Sequence, residues 1–346
     1  MTLRIPCIRG PVSQGIDEMS VAYRGRVAGL LGLLATATLL GGLTGKGLAQ
    51  EVANYPARSV KIVVPYAAGA STDTLARAIA QKLELKWSQT VYVENLPGIG
   101  GLAGAAAVAR SQPDGYSFVV VTASHVISPA IMSRPPFDPI KDFAPVTILA
   151  KTPGLLLASN QSEITSVARM IELGRTQELS YGTSGVGSKH HVSMVEFARL
   201  AGIKMQHIPY RGSAQAMNDI VGGHLPLQLG SISFAYDFAR TGKAKGLAVV
   251  AEHRQAVLPD VPTLVELGYP LSSAEWWVLL GPAGTPRPMV NKVGDDVAEV
   301  LQMPDVKARF PADDLQSSTP EELLRFMQDE AAVWGGIAKK AGLHID

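Results

Sequence analysis

Apolar positions along the chain switch repeatedly between two periods. Short runs rich in Val, Ile, Leu and aromatic residues fall at 59–64, 90–94, 116–121, 146–149, 155–158, 179–182, 205–208, 225–229, 246–251 and 276–280. Turn residues bound each run, the pattern of buried strands. Between them lie helical patterns. Over 71–86 the apolar side recurs at Leu75, Ala78, Ile79 and Leu83, and over 188–200 at Val192, Val195 and Ala198. Two more helices are predicted at 288–301 and 319–341. The second opens Ser318-Thr319-Pro320-Glu321-Glu322, where Thr319 can cap, with Pro320 at the first helical position and Glu322 at the third. This alternation predicts an α/β fold built on mainly parallel sheets.

Two junctions share one plan. "VVPYAAGASTDTLARAIA" and "LSYGTSGVGSKHHVSMVEFARLAG" each run from a strand through a loop of Gly, Ser and Ala into a helix. Such a loop offers unpaired N–H groups at the positive end of a helix dipole, and its small side chains let the backbone meet a ligand. Either loop alone reads equally as a tight, capped turn. The pair, one in each half of the chain, points to two anion cradles. Asp73, in the first turn of its helix, reads as an organiser of the loop more than as a direct contact.

The N-terminus breaks the alternation. Arg24 and Arg26 precede an apolar run over 27–40, and small residues follow, ending Gly47-Leu48-Ala49. That order is a secretory signal peptide over 1–49, cleaved after Ala49, with Met19 as an alternative start to Met1. The run is shorter than the roughly 20 residues of a spanning helix. The chain has one cysteine, Cys7, which leaves with the signal. The remaining cysteine-free chain implies no disulfide, thiol nucleophile or thiolate metal ligand, and the setting implied is the bacterial periplasm. A formal net charge of +1 over 346 residues offers no basic field for nucleic acid.

Other chemistry is weaker. Gly98-Ile99-Gly100-Gly101-Leu102-Ala103 resembles a dinucleotide loop but does not leave a strand directly, and no acid follows at the expected distance. Gly182-Thr183-Ser184-Gly185-Val186 nearly makes a nucleophile elbow. His190, His191, His207 and His224 form no metal motif, and of the adjacent pair one histidine is expected at the surface and one packed. Of Trp276 and Trp277, one is expected in the core and one along a cleft.

In order along the chain, "YPARSVKIVVPYAAGASTDTLARAIAQKL", "VYVENLPGIGG", "DGYSFVVVTASH", "PFDPIKDFAPVTILA", "YGTSGVGSKHH", "IPYRGSAQAMNDIVGGH", "LPDVPTLVELGYP" and "GPAGTP" resemble the periplasmic solute-binding proteins of tripartite tricarboxylate transporters, the Bug-type receptors. The resemblance implies a two-lobed clamp of the periplasmic-binding-protein kind with two hinge crossings. Lobe 1 is placed at 50–152 plus 276–346 and lobe 2 at 153–275. It implies a receptor, not an enzyme, with no cofactor and no metal. The receptor acts as a monomer and delivers a small carboxylate to a membrane permease with a large and a small subunit. Carried over, the ligand meets Tyr66, Gly69, Ala70, Ser71 and Thr72, with Asp73 beside them. Thr122, Ser124 and His125 flank the cleft, and Thr183, Ser184, Gly187, Ser188 and Tyr210 oppose them. Three residues depart from the family pattern: Ala70 for a second glycine, Leu96 for an arginine and Pro226 for an aspartate. Two readings compete, an exported α/β hydrolase using Ser184 or Ser188 and a ligand receptor for a sensor kinase.

Overall fold

Strand β1 (Val60–Val64) passes through the loop at 65–70 into α1 (Ser71–Trp87) and β2 (Val91–Asn95). A 3-10 turn (Ile99–Gly101) and α2 (Leu102–Ala109) lead to β3 (Ser117–Val121) and α3 (Ser124–Ala130). Next come β4 (Phe143–Ala158), α4 (Val167–Gly174), β5 (Leu179–Thr183), α5 (Lys189–Ala201), β6 (Met205–Pro209), α6 (Ser213–Gly222), β7 (Leu227–Ser231), α7 (Ile232–Arg240) and β8 (Lys245–Val250). The chain then returns along β9 (Ala274–Pro282) and closes with α8 (Arg287–Gln302), α9 (Pro304–Arg309), the short β10 (Asp314–Leu315) and α10 (Pro320–Lys340). The computed structural model describes residues 54–345. The expected export signal, Cys7 and both candidate starts lie outside the described residues.

The strands hydrogen-bond in the order β2-β1-β3-β9-β4-β7-β5-β6, with β8 and β10 also on β4. Two parallel sets, β2-β1-β3 and β7-β5-β6, flank a central antiparallel pair, β4 and β9. Each half is therefore mixed at its inner edge. The parallel strands β1 and β3 are buried along nearly their whole length, which is why they read as unbroken apolar runs.

The two strands expected at 146–149 and 155–158 are one 16-residue strand. Pro153, which cannot donate to a ladder, lies between the two expected runs. Here it falls where β4 changes neighbours. Its last partner on β9 is Ala274, and from Gly154 onward β4 pairs with β7 and β8.

Candidate functional site

The carboxyl ends of β1 and β3 lie side by side, since the two strands are parallel neighbours. Ligand sites of open α/β sheets sit at such ends. Tyr66, just past β1, and Thr122, just past β3, meet there with Tyr66 Oη and Thr122 Oγ1 2.9 Å apart. Burial pushes the Tyr66 phenol well above its usual range, so it stays neutral. Thr72 Oγ1 accepts from Trp277 Nε1 at 2.7 Å, tying the first turn of α1 to β9.

Between these anchors, Ala67, Ala68 and Gly69 are exposed. Gly69 takes a left-handed φ of +81°, and its N–H donates to Asp73 Oδ2 at 2.9 Å. The same buried carboxylate accepts from Arg77 Nε at 3.0 Å and from Asn95 Nδ2 at 2.8 Å. Burial opposes its charge, but these bonds outweigh burial and hold the carboxyl below its usual range. Asp73 thus pins the loop from behind. Ala70 needs no left-handed backbone: its φ is −67° and its ψ 161°. Ser188 before α5 (φ −68°, ψ 153°) and Thr319 before α10 (φ −69°, ψ 157°) have nearly the same geometry. Both of those cap their helices. Ala70 occupies the same position at α1 and supplies no cap.

The dinucleotide-like segment serves another purpose. A Cβ at Gly101 would lie 2.9 Å from Tyr66 Oη, so the glycine makes room for the tyrosine ring.

The second loop follows β5. Thr183 Oγ1 lies 2.7 Å from His207 Nε2. Ser188 Oγ donates to the Gly185 carbonyl at 2.8 Å and accepts from His191 N at 3.2 Å. The backbone N–H of Gly187 donates to His191 Nδ1 at 3.3 Å, and that ring stacks on His207 with centroids 3.7 Å apart. Tyr210 bonds back to the loop through its N–H to the Thr183 carbonyl, while its hydroxyl donates to Asp219 at 2.6 Å. Ser184 is half-buried at the rim. Thr183 and Ser188 therefore reach Gly185, His191 and His207 directly, Tyr210 reaches Thr183 and Asp219, and all three hydroxyls are partnered inside the protein.

This loop abuts the first half of the molecule. A Cβ at Gly187, φ +75°, would sit 2.7 Å from Ser128 Oγ on α3 and 3.1 Å from Ile345 Cδ1. Any side chain there would crowd Ser128 and strain the left-handed backbone. Ser128 Oγ also lies 3.2 Å from a Cβ built on Gly100, so α3 lies against both the second loop and the 3-10 turn.

The remaining expected residues are placed differently. Ser124 is buried at the first turn of α3. His125 is enclosed, its ring stacked on Phe137 at 5.0 Å and edge-on to Phe143 at 4.7 Å, with Nε2 2.9 Å from the Pro139 carbonyl. Trp276 and Trp277 are both buried, so neither lines an open face. His190 and His191 are both buried as well, against the expectation of one surface histidine, because the first turn of α5 is covered on all sides.

Sequence reasoning missed Glu275. This buried acid at the start of β9 accepts from the backbone N–H of Ala123 at 2.9 Å and of Trp276 at 3.2 Å. Burial lifts it to about 7, partly offset by the Ala123 bond and the Lys189 charge. A charged residue directly before an apolar strand was the one available signal.

Among the described residues no group of three His, Cys, Asp or Glu is placed to hold a metal, and no helix is long and apolar enough to cross a membrane.

The profile of the family described as tripartite tricarboxylate transporter family receptor, TctC, matches residues 75–343. Protein BugT of Bordetella pertussis is 29% identical over 308 residues, covering 86% of this chain and 94% of its own length. The structure of an R. palustris protein with adipate has a TM-score of 0.79 at 32% identity, covering 84% of this chain and 99% of that one. MatC from Rhodopseudomonas palustris with bound malate gives 0.77 at 31%, over 82% and 99%. The periplasmic binding protein BugD gives 0.78 at 31%, over 84% and 99%. With a family profile spanning most of the chain and solved relatives matching along their whole length, the chain belongs to the tripartite tricarboxylate transporter receptor family.

Proposed function

We propose that this chain is a periplasmic receptor that captures a small di- or tricarboxylate between its two loops and delivers it to a membrane permease with a large and a small subunit. The observation that carries the reading is the start of α1. Ala70 has the backbone of a capping residue and no cap, and the residues before it are exposed. The first N–H groups of a helix seek an acceptor, and a carboxylate oxygen satisfies them while matching the dipole. Two of the solved relatives hold adipate and malate, which are dicarboxylates. The lobes we assign are 50–152 with 276–346, and 153–275. Tyr66, Gly69, Ala70, Ser71, Thr72 and Thr122 face the ligand from the first lobe, and Thr183, Ser184, Gly187, Ser188 and Tyr210 from the second. Asp73, Ser124 and His125 support that surface from within.

No chemistry on the ligand is needed. Ser188, one of the two nucleophile candidates, spends its hydroxyl on the Gly185 carbonyl and the α5 cap.

The test is calorimetry and thermal shift with malate and adipate. Binding that raises the melting temperature, without turnover of ester substrates, is expected. Ser71→Glu is expected to weaken dicarboxylate binding at least tenfold while leaving the fold as stable or slightly more so, because an acid in a helix's first turn favours the helix but repels an anion. Unchanged affinity in that variant refutes the placement. Steady ester hydrolysis lost in Ser184→Ala refutes the receptor reading itself.

A further inference from the structure

Lys189 is the first residue of α5 and directly follows Ser188 in the second loop. Its side chain is only 2% exposed. The ammonium pairs with Glu330 Oε2 on α10 and lies 3.9 Å from the centroid of the Trp334 ring on the same helix. Trp276 Nε1 donates to that same Glu330 oxygen at 2.7 Å. Glu275 on β9 and Lys151 on β4 also act on the ammonium electrostatically.

Of the ion pairs between described residues, this is the one that joins the segment 153–275 to the rest of the chain. Buried pairs seldom add net stability over apolar replacements, but breaking one leaves a costly lone charge. Such a pair is therefore poor glue and a good two-position contact. A second contact lies two residues away, where Gly187 meets Ser128 and Ile345. The loop and the residue after it are thus docked on the other half of the molecule at two independent points.

We propose that Lys189 is a positioning residue: paired with Glu330 over Trp334, it latches the second ligand loop to the C-terminal helix and thereby fixes the separation of the lobes. The latch holds α5 by its first residue, so releasing it frees the loop that carries Thr183 to Ser188. Only the affinity arm of its test rests on the receptor reading given above.

The decisive variant is Lys189→Met with Glu330→Gln. It removes both charges of the pair and keeps an acceptor for Trp276, and the buried Glu275, which loses the favourable Lys189 charge, is driven further toward its neutral form, so the fold is expected to melt within a few degrees of wild type. Spin labels at Leu85→Cys on α1 and Val221→Cys on α6, both exposed positions, report the distance between the halves in a Cys7→Ser background. The ligand-free parent is expected to give one narrow distance. The latch variant is expected to give a distribution at least twice as wide, and malate or adipate affinity at least tenfold weaker. Glu330→Asp keeps both charges but is one methylene shorter, and is expected to show an intermediate width. It carries the test should the double variant not fold. Distance distributions identical to the parent in these variants overturn the latch. A parent that binds neither malate nor adipate removes the ligand class, while the distance measurement on ligand-free protein still decides the latch.

Discussion

Four histidines are held neutral by burial. His125, His190 and His207 lie at about 4, and His191, with His207 stacked against it, at about 3. Unfolded, each takes a proton near 6.5. Their contribution is therefore complete above 6.5 and is lost as pH falls toward 4, where the unfolded chain binds protons that the native state refuses. Both ring nitrogens of His190 lack partners. His190→Leu removes an unsatisfied buried ring, so it is expected to stabilise the protein by about 1–2 kcal/mol at pH 7 and to flatten the loss between 6.5 and 4. Urea denaturation across that range measures both. Glu275 behaves oppositely. Its folded value of about 7 lies above the unfolded one, so its protonated form favours folding below 4.5 and that contribution fades as pH rises through 7. Glu275→Gln is expected to abolish this slope, worth on the order of 3 kcal/mol at most. A parent and variant with the same dependence on pH would show that the carboxyl is not buried as described.

At the level of the element, α1 and α5 start alike in sequence and differ in structure. The second loop spends Ser188 on its own helix, and the first leaves α1 without a cap. Ala70→Ser is therefore expected to cap α1, adding about 1 kcal/mol, and to weaken dicarboxylate binding because the new hydroxyl competes for the same N–H groups. A gain in melting temperature with unchanged affinity would place the ligand elsewhere. Both strand–loop–helix junctions were legible in sequence, because small residues between a β-branched run and a helical stripe leave few alternatives. The cap box of α10 was legible for the same local reason, and it forms as read, with Thr319 and Glu322 bonding reciprocally. What sequence could not separate was a loop with free donors from a loop already satisfied. That difference depends on one side-chain atom at each N-cap. His125 shows the same limit: the family resemblance placed it beside a cleft with Thr122 and Ser124, but Phe137 and Phe143, from the segment that follows α3, close over it.

For the whole molecule, the alternation of strands and helices identified an α/β chain, and the family resemblance supplied the two-lobed clamp. The order of strands was not readable, because pairing between β3, β9 and β4 joins segments far apart in sequence. Nor was the buried Lys189–Glu330 pair, since each residue alone looks like an ordinary surface charge on a helix. On the proposed receptor reading, ligand capture would shift the balance between arrangements of the two halves, and a ligand moves such a balance only by binding one arrangement better. A dicarboxylate spanning both loops, as proposed, would have that preference.

The position of β9 has a consequence for how the chain is made. It lies between β3 and β4 yet is synthesised more than a hundred residues after either, once β5 to β8 have been laid down. Until it arrives, β3 and β4 each expose an unpaired edge, and β2-β1-β3 is a three-stranded fragment. Long-range insertion of this kind raises contact order, slows folding and lengthens the time that sticky edges are open. The middle segment, whose strands β5 to β8 find their partners among themselves and on the end of β4, has no such wait. Folding should run from the middle of the chain outward, with the N-terminal sheet sealed last by a strand from near the C-terminus. A chain cut short before residue 274 would hold both halves of that sheet and nothing to join them.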